Sequence, residues 1–370
     1  MAYYFIYPSK DSYIYELNDN SEKNFGGDNN LILKKDIDGT GTLNGVSRIL
    51  LEFNLTELSK SIVSSDIPTD AKYYLKLYEQ KSSELSSEYS LASFPLSQSW
   101  NEGSGYTIQD PNIRNGVSWL RGDETLRNTT WSAGVTDYSS TGSRTVGGGV
   151  YHLDKGISSQ SFSNQSPDIN MDVTNIVNNW LGGTNNIPNN GLVLKWSGSQ
   201  ESSADYSGNI NFFSVNSDSI YSPKIEVVWD GHTTIGETGL TQLTIDGTKD
   251  NYLYMIDFKN TYKESEIVKF RVGGRERYQT KSTSLTKSTT KPNYVPEGSG
   301  SYSIVDVETG KTLIPFGDYT LFSSDSGSNY FKQDLKTFIN NRNYKILLKL
   351  KSDNGTVKVF DNDYIFKVVK

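Results

Sequence analysis

Strict two-residue alternation of large apolar and polar side chains recurs along this chain and commits most of it to half-buried β-strands. Leu51, Phe53 and Leu55 alternate with Glu52 and Asn54, Tyr73, Leu75 and Leu77 alternate with Lys72, Tyr74 and Lys76, and Tyr252, Tyr254, Ile256 and Phe258 repeat the pattern far downstream. Successive strand side chains point to opposite faces, so each run sends one row into a core and the other toward water. One stretch breaks the rule. Within DINMDVTNIVNNWLGGTNNIPNNGLVLKW, residues 168–196, Val173, Ile176, Val177 and Trp180 fall at i, i+3, i+4, i+7, the spacing of a helical face. Asp172 stands ahead as the expected N-cap and Gly182-Gly183 follow as the stop. The pattern predicts one short amphipathic helix laid across the open end of a β-sandwich. Asn189-Asn190-Gly191 then turns the chain, and Leu192, Leu194 and Trp196 resume the inward face of a strand.

Composition supports the same class. The 370 residues include 24 Tyr, 15 Phe and 6 Trp, and aromatic and β-branched strands in a Gly-, Ser- and Asn-rich background read as all-β. A net charge of -7 from well-mixed signs offers no phosphate-binding surface, so nucleic acid is not an expected partner. The absence of cysteine excludes disulfides, thiolate zinc sites and cysteine nucleophiles. No stretch approaches the roughly 20 apolar residues that span a bilayer, so membrane insertion is not expected. MAYYFIYPSKDSYIYE lacks a basic start followed by an apolar run. The expectation is a protein made in a cytosol that reaches any exterior location without classical secretion.

The turn and strand signals divide the chain as follows. Residues 1–231 are expected to form a jelly-roll-like β-sandwich carrying the one short helix, and 232–241 a linker. Two small immunoglobulin-like β-sandwich units follow at 242–296 and 297–370, the second with a short helix over Asp334–Asn341 showing Leu335, Phe338 and Ile339. KSTSLTKSTT, with its flanks over 280–292, reads as an extended polar arm. A long insertion between Pro95 and Tyr151 contains Trp100, Trp119 and Trp131 among many glycines, and loops of that length are functional or braced from within.

The chemistry-bearing residues are few. His152 and His232 each stand alone in a loop or joint, which disfavours a Ser-His-Asp triad or a histidine metal site. Glu102, Asp110, Asp123 and Glu124 lie near the insertion tryptophans, where a sugar-cleaving site would need paired carboxylates; the alternative is solvated loop charge. Trp100, Tyr106, Trp119 and Trp131 are the candidates for contact with a glycan or a partner. For the tryptophans the alternatives are a ligand platform and a loop anchor. No cofactor is implied. A structural calcium ion fits sandwiches of this kind, and Asp11, or Asp36 with Asp38, carries oxygens of the right type, but the sequence assigns no ligand.

In order, DSYIY, NFGG, ILLEFNL, AKYYLKLYE, SWNEG, GVSW, DVTNIVNNW, NNGLVLKW and PKIEVVW resemble the DNRLRE-type β-sandwich module over roughly residues 5–230. That family is similar to carbohydrate-binding jelly rolls and occurs in secreted polysaccharide-degrading proteins and in virion proteins of tailed bacteriophages. IPNNGLVLKWSGSQE and NINFFSVNSDSIYSPKIEVVWD look like the end of the module in the phage branch. EIVKFRVGGRERY, YSIVDVETGKTLIPFGDYTLFSSDSGSNYF and NNRNYKILLKL are similar to a β-domain pair that follows it there. The tryptophans match framework positions of the module, so the resemblance carries none of them over as a sugar-binding residue. It implies a non-enzymatic virion component at neck, collar, tail or baseplate, in many copies, docking on other virion proteins through the 100–150 loop, the 280–292 arm and exposed tyrosines. The alternative is a carbohydrate-binding module of a receptor-binding or polysaccharide-handling apparatus, with a cell-surface glycan as partner.

Overall fold

The computed structural model describes residues 3–16, 21–108, 113–126, 129–131, 147–183, 186–232, 239–278 and 292–370. The chain forms two compact units: Phe5–Ser65 with Lys72–Glu226, and Met1–Tyr4 with Asp66–Ala71 and Val227–Lys370. The architecture is all-β, as the alternation predicts, with two short α-helices among the described residues.

The elements up to residue 228 are β1 (Tyr3–Ile6), β2 (Pro8–Tyr15), β3 (Asn30–Ile37), β4 (Leu43–Phe53), α1 (Thr56–Val63), β5 (Lys72–Leu77), β6 (Glu79–Ser83), β7 (Glu88–Pro95), β8 (Ser158–Ser163), β9 (Ile169–Asp172), α2 (Thr174–Trp180), β10 (Leu192–Trp196), β11 (Gly208–Phe213) and β12 (Lys224–Val228). An eight-stranded sheet runs β6-β11-β3-β4-β10-β7-β8 with β2 added on β4, and a four-stranded sheet runs β1-β12-β5-β9. Strand β10 is central, pairing Leu192 with Leu51 of β4 on one side and with Pro95 of β7 on the other.

The inward row Leu192, Leu194, Trp196 is buried, and so is the row expected to face water, Val193 and Lys195. The insertion explains the second row. Trp100, Trp119, Trp131, Val150 and Tyr151 pack with Leu50, Phe94 and Val193 into a further core over the other face of the eight-stranded sheet. A β-sheet with apolar cover on both faces loses the alternation of a half-solvated one.

The charged groups caught under that cover are paired. Glu201 accepts from Arg48 Nε and Nη2 at 2.8 and 2.9 Å, and Lys195 Nζ lies 2.8 Å from its Oε2. Arg48 Nη1 also donates to Gly148 O at 2.7 Å, with the guanidinium 5.1 Å from the Trp119 ring centroid. Burial pushes the Glu201 carboxyl up, and the two cations reverse that rise and hold it below its ordinary value.

The helix around which the larger unit was expected to close is present as α2, with Val173, Ile176 and Val177 buried. Its cap is one residue later than expected. Val173 occupies the N-cap position, and Asp172 instead accepts from Thr174 N at 2.9 Å in a local turn. The stop is as the glycines predict: Gly182 has φ +94, and Gly183 N–H donates to Asn178 O at 2.8 Å, the long bond of a Schellman motif. Helix α1 was not anticipated: Leu55, Leu58 and Ile62 fall at i, i+3, i+7, but the stripe is short and within the helix only Leu58 is buried.

The second unit contributes β13 (Asn251–Ile256), β14 (Thr261–Lys263), β15 (Ile267–Glu276), β16 (Gly300–Asp306), β17 (Thr312–Ile314), β18 (Ser323–Ser324), β19 (Asn329–Asp334), β20 (Asn343–Lys351) and β21 (Val357–Val369). They form sheets β13-β15-β19-β18 and β14-β21-β20-β16-β17. Both sheets cross the boundary expected at 296–297. β15 pairs with β19 from Ile267↔Asp334 to Val272↔Asn329, and β14 runs parallel to β21. The strands of the two expected units therefore share one pair of sheets. Aromatic rings fill the interior, with Tyr302 stacked on Phe331 at 3.7 Å and Phe331 on Phe270 at 5.1 Å.

The helix expected over Asp334–Asn341 is a turn. Asp334 Oδ1 accepts from Lys336 N at 2.9 Å and Phe338 N–H donates to Leu335 O at 3.1 Å, so the aspartate side chain takes up backbone that a helix would have used. Leu335 and Phe338 are still buried. Most of the expected linker, 233–238, and of the expected arm, 280–291, lies outside the described residues.

Candidate binding site

The start of the insertion folds back along β2 toward the Asn24–Asp28 turn. Trp100 opens this return, its Nε1 donating to Asn190 O at 3.0 Å and its carbonyl accepting from Lys10 Nζ at 3.1 Å. Glu102 Oε1 then accepts from Asp11 N–H at 2.9 Å, and burial raises the Glu102 carboxyl above its ordinary value. Asn24 ties the loop down, its Nδ2 donating to the Glu102 and Val117 carbonyls at 2.6 and 2.8 Å and its Oδ1 accepting from Gly105 N at 2.8 Å. The fit at the crossing excludes side chains: a Cβ on Gly26 would stand 2.2 Å from Glu102 O.

At the end of this return Tyr106 lies over Gly27. A Cβ added there would come within 2.7 Å of Tyr106 Cζ and 2.9 Å of its Cε2, so the hydroxyl end of the ring lies close against that backbone, while the residue stays 44% exposed. Ser104 with Asn115 and Thr107 with Asp28 supply hydrogen-bonding groups beside it. Asn115 Nδ2 donates to Ser104 Oγ at 2.9 Å, and Thr107 Oγ1 donates to Asp28 Oδ2.

The other aromatic candidates are covered. Trp100, Trp119 and Trp131 are 4%, 0% and 2% exposed. Trp131 Nε1 donates to Ser118 O at 3.1 Å. A stacking platform needs an open ring face, so the platform alternative is withdrawn for these three and remains for Tyr106.

The carboxylate candidates do not converge on a reaction site. Glu124 is buried against Ser118 and Arg121, and Asp123 accepts from the Gly116 and Thr125 amides at 3.3 and 2.8 Å. Asp110 lies outside the described residues. His152 and His232 stay in loops, far apart in sequence, with His232 Nδ1 3.8 Å from Glu297.

The proposed calcium oxygens have protein partners. Asp11 accepts from Ser214 Oγ and Val215 N, Asp36 pairs with Lys34 at 3.1 Å, and Asp38 accepts from Thr40 and Thr42 amides within its own loop. Among the described residues no group of three or more His, Asp or Glu stands in position to hold a metal ion.

Sequence reasoning missed a cleft of about 850 Å³ bounded by the start of β2, the end of β4, the first turn of α1 and the loop after α2. Ser9, Lys10, Glu52, Asn54, Ser59, Trp180, Asn186 and Asn189 are among its lining residues. The signal available in the sequence was the asparagine-rich NNIPNN placed directly behind a helix ending in Trp180.

Residues 2–115 match the model of carbohydrate-binding module family 96. None of the curated proteins matches the chain. Among solved structures, the crystal structure of the adhesin domain of Epf from Streptococcus pyogenes is similar at 11% identity, over 100% of this chain and 91% of that one, with a TM-score of 0.18; at that score the likeness carries no argument. The matched segment includes β2, the Asn24–Asp28 turn, Tyr106 and the β4 and α1 walls of the cleft. The chain thus begins with a β-sandwich of the carbohydrate-binding-module kind and continues into further β-sheet structure. What that segment matches is a binding module.

Proposed function

We propose that this protein is a non-catalytic glycan-binding protein and that Tyr106 is its stacking contact. One observation carries the reading: a tyrosine ring backed by Gly27 and 44% exposed, flanked by hydroxyl, amide and carboxylate groups, lies within the segment that matches a carbohydrate-binding module. The apolar face of a pyranose gains from covering such a ring, and the polar rim orients its hydroxyls. Removing Tyr106 touches no core, since the residue is exposed.

Tyr106→Ala is therefore expected to weaken glycan binding by about tenfold or more, while Tyr106→Phe keeps most of it. Glycan-array screening followed by calorimetry on the full chain checks this. Unchanged affinity in folded Tyr106→Ala, or no glycan bound by the unaltered protein, would sink the reading.

The resemblance of the motif order to virion proteins of tailed bacteriophages is what favours a setting for this activity on a particle, in a multi-copy adaptor at neck, collar, tail or baseplate. Many weak glycan contacts would then add by avidity. Detection of the chain in purified particles tests the setting separately from the binding.

A further inference from the structure

The row Tyr252, Tyr254, Ile256, which alternation sends into a core, lies on the outside of the second unit. Leu253 and Met255 are the buried residues of β13, and the aromatic row shares the outer face of its sheet with Arg271 and Arg275 of β15 and Tyr330 of β19. An antiparallel sheet with one face in water is expected to show polar residues there. Tyrosine and arginine are instead the residues enriched where proteins meet.

The rings on this face hold a guanidinium in place. A Cβ on Gly273 would stand 2.3 Å from Tyr254 Cζ and 2.7 Å from both Cε atoms, so the hydroxyl end of that ring lies across Gly273. Tyr252 stacks beside it, 6.2 Å between centroids and 15° from parallel. Arg275 Cζ stands 5.7 Å from the Tyr252 centroid and 5.9 Å from that of Tyr254. The neighbouring cations have carboxylates: Lys269 and Arg271 share Asp325, and Arg277 lies 3.6 Å from Asp250. Among the described residues Arg275 has none.

The chain itself supplies the missing anion. Its net charge of -7 falls on the larger unit, since in the second unit Lys and Arg are about as many as Asp and Glu. On the larger unit the turn between β6 and β7 is tied to the loop before β11 by Ser207, whose Oγ donates to Glu84 O at 2.8 Å and whose N–H donates to Ser86 Oγ at 3.1 Å. Glu84, Glu88 and Asp205 stand exposed along this edge, and no described cation pairs with any of them.

We infer that a second copy of this chain docks on the outer face, its Glu84–Glu88 edge meeting Arg275. A planar guanidinium takes a carboxylate through two parallel bonds, and rings that already fix it lower the cost of ordering it. Stacked nucleic-acid bases would need open ring faces, and here the rings are taken by Gly273 and the guanidinium. The contact is heterologous: a pair leaves one face and one edge free, so association continues beyond two copies or closes into a ring.

Sedimentation velocity on the full chain tests this at about 0.05 M and about 0.5 M salt, between which the screening length falls severalfold. Concentration-dependent association is expected at low salt. It is expected to weaken about tenfold or more at high salt, in Arg275→Glu, and in the double variant Glu84→Lys, Glu88→Lys. Arg275→Gln serves in place of Arg275→Glu if circular dichroism shows the latter unfolded. Mixing the two charge-altered proteins is expected to restore the association that each lacks alone, because the acidic edge of one again meets Arg275 of the other. A chain that stays monomeric at about 100 μM in low salt overturns the inference. Association that survives both alterations, or a mixture that stays monomeric, does the same. Glycan binding through Tyr106 stands or falls separately.

Discussion

Asp11 is buried, with Oδ2 accepting from Val215 N at 2.7 Å and Oδ1 from Ser214 Oγ at 3.1 Å, two partners more than 200 positions away. Burial pushes its carboxyl up to about 7 against the pull of the Val215 amide, and Glu102 beside it adds to the rise. A carboxyl that is more basic folded than unfolded binds an extra proton in the native state. Its contribution is therefore complete below its ordinary 3.8 and is lost as pH climbs through about 7. The span corresponds to at most about 4 kcal/mol. Asp11→Asn keeps the shape and cannot ionise, so its stability relative to the unaltered protein is expected to improve from pH 4 to about pH 7 and to level off above that. Urea unfolding across that range checks this, and parallel pH profiles for the two proteins would count against it.

Glu201 behaves in the opposite sense, since Arg48 and Lys195 depend on it. Glu201→Gln leaves both cations buried without a carboxylate and is expected to cost about 3–5 kcal/mol in chemical denaturation. Neither role was legible in the sequence. Asp11 read as a calcium candidate and Lys195 as a solvent-facing strand residue, because the groups that satisfy them arrive from distant segments.

At the level of elements the local signals were legible where the physics is local. The i, i+3, i+4, i+7 row gave α2, the glycine pair gave its end, and Asn189-Asn190-Gly191 gave the turn into β10. Gly191 shows why that turn is specific: φ is +84, a Cβ would stand 2.3 Å from Leu51 O, and its amide takes Asn189 Oδ1 at 3.1 Å. Gly191→Ala combines left-handed strain with a backbone clash at the β10–β4 pairing and is expected to destabilise the fold by about 1–3 kcal/mol, read as a lower urea midpoint with unchanged slope.

The insertion resisted reading for the converse reason. Trp100 and Tyr106 sit in equally glycine-rich sequence, yet one ring is sealed by the Asn190 turn and the other lies open on Gly27. Anchor and platform have the same local signature, and only the cover brought by other segments distinguishes them. The cleft escaped notice likewise, since its walls come from β2, β4, α1 and the loop after α2, none of which is remarkable by itself.

Across the whole molecule, the fold class could be read and the boundaries could not. Period-two alternation names a strand without naming its partner, so nothing in the sequence said that β15 would pair with β19 across the expected 296–297 division, or that β14 would lie along β21. The same holds for the pieces of the second unit that come from far upstream, Met1–Tyr4 and Asp66–Ala71. Gln333 Nε2 donates to Tyr3 O at 3.2 Å, and Tyr3 and Ile67 are both buried.

A fragment begun at the expected linker, residues 242–370, keeps every strand from β13 to β21 and lacks both segments. Burial of two such apolar side chains is worth about 1.5–3 kcal/mol each, and Gln333 loses an acceptor besides. The fragment is expected to fold with its β-sheet circular dichroism retained, to bind a hydrophobic dye that the full chain ignores, and to melt on the order of 10 °C lower than the corresponding transition of the full chain. Equal melting temperatures without dye binding would mean that the upstream segments add nothing to the second unit, and the domain border would return to the linker.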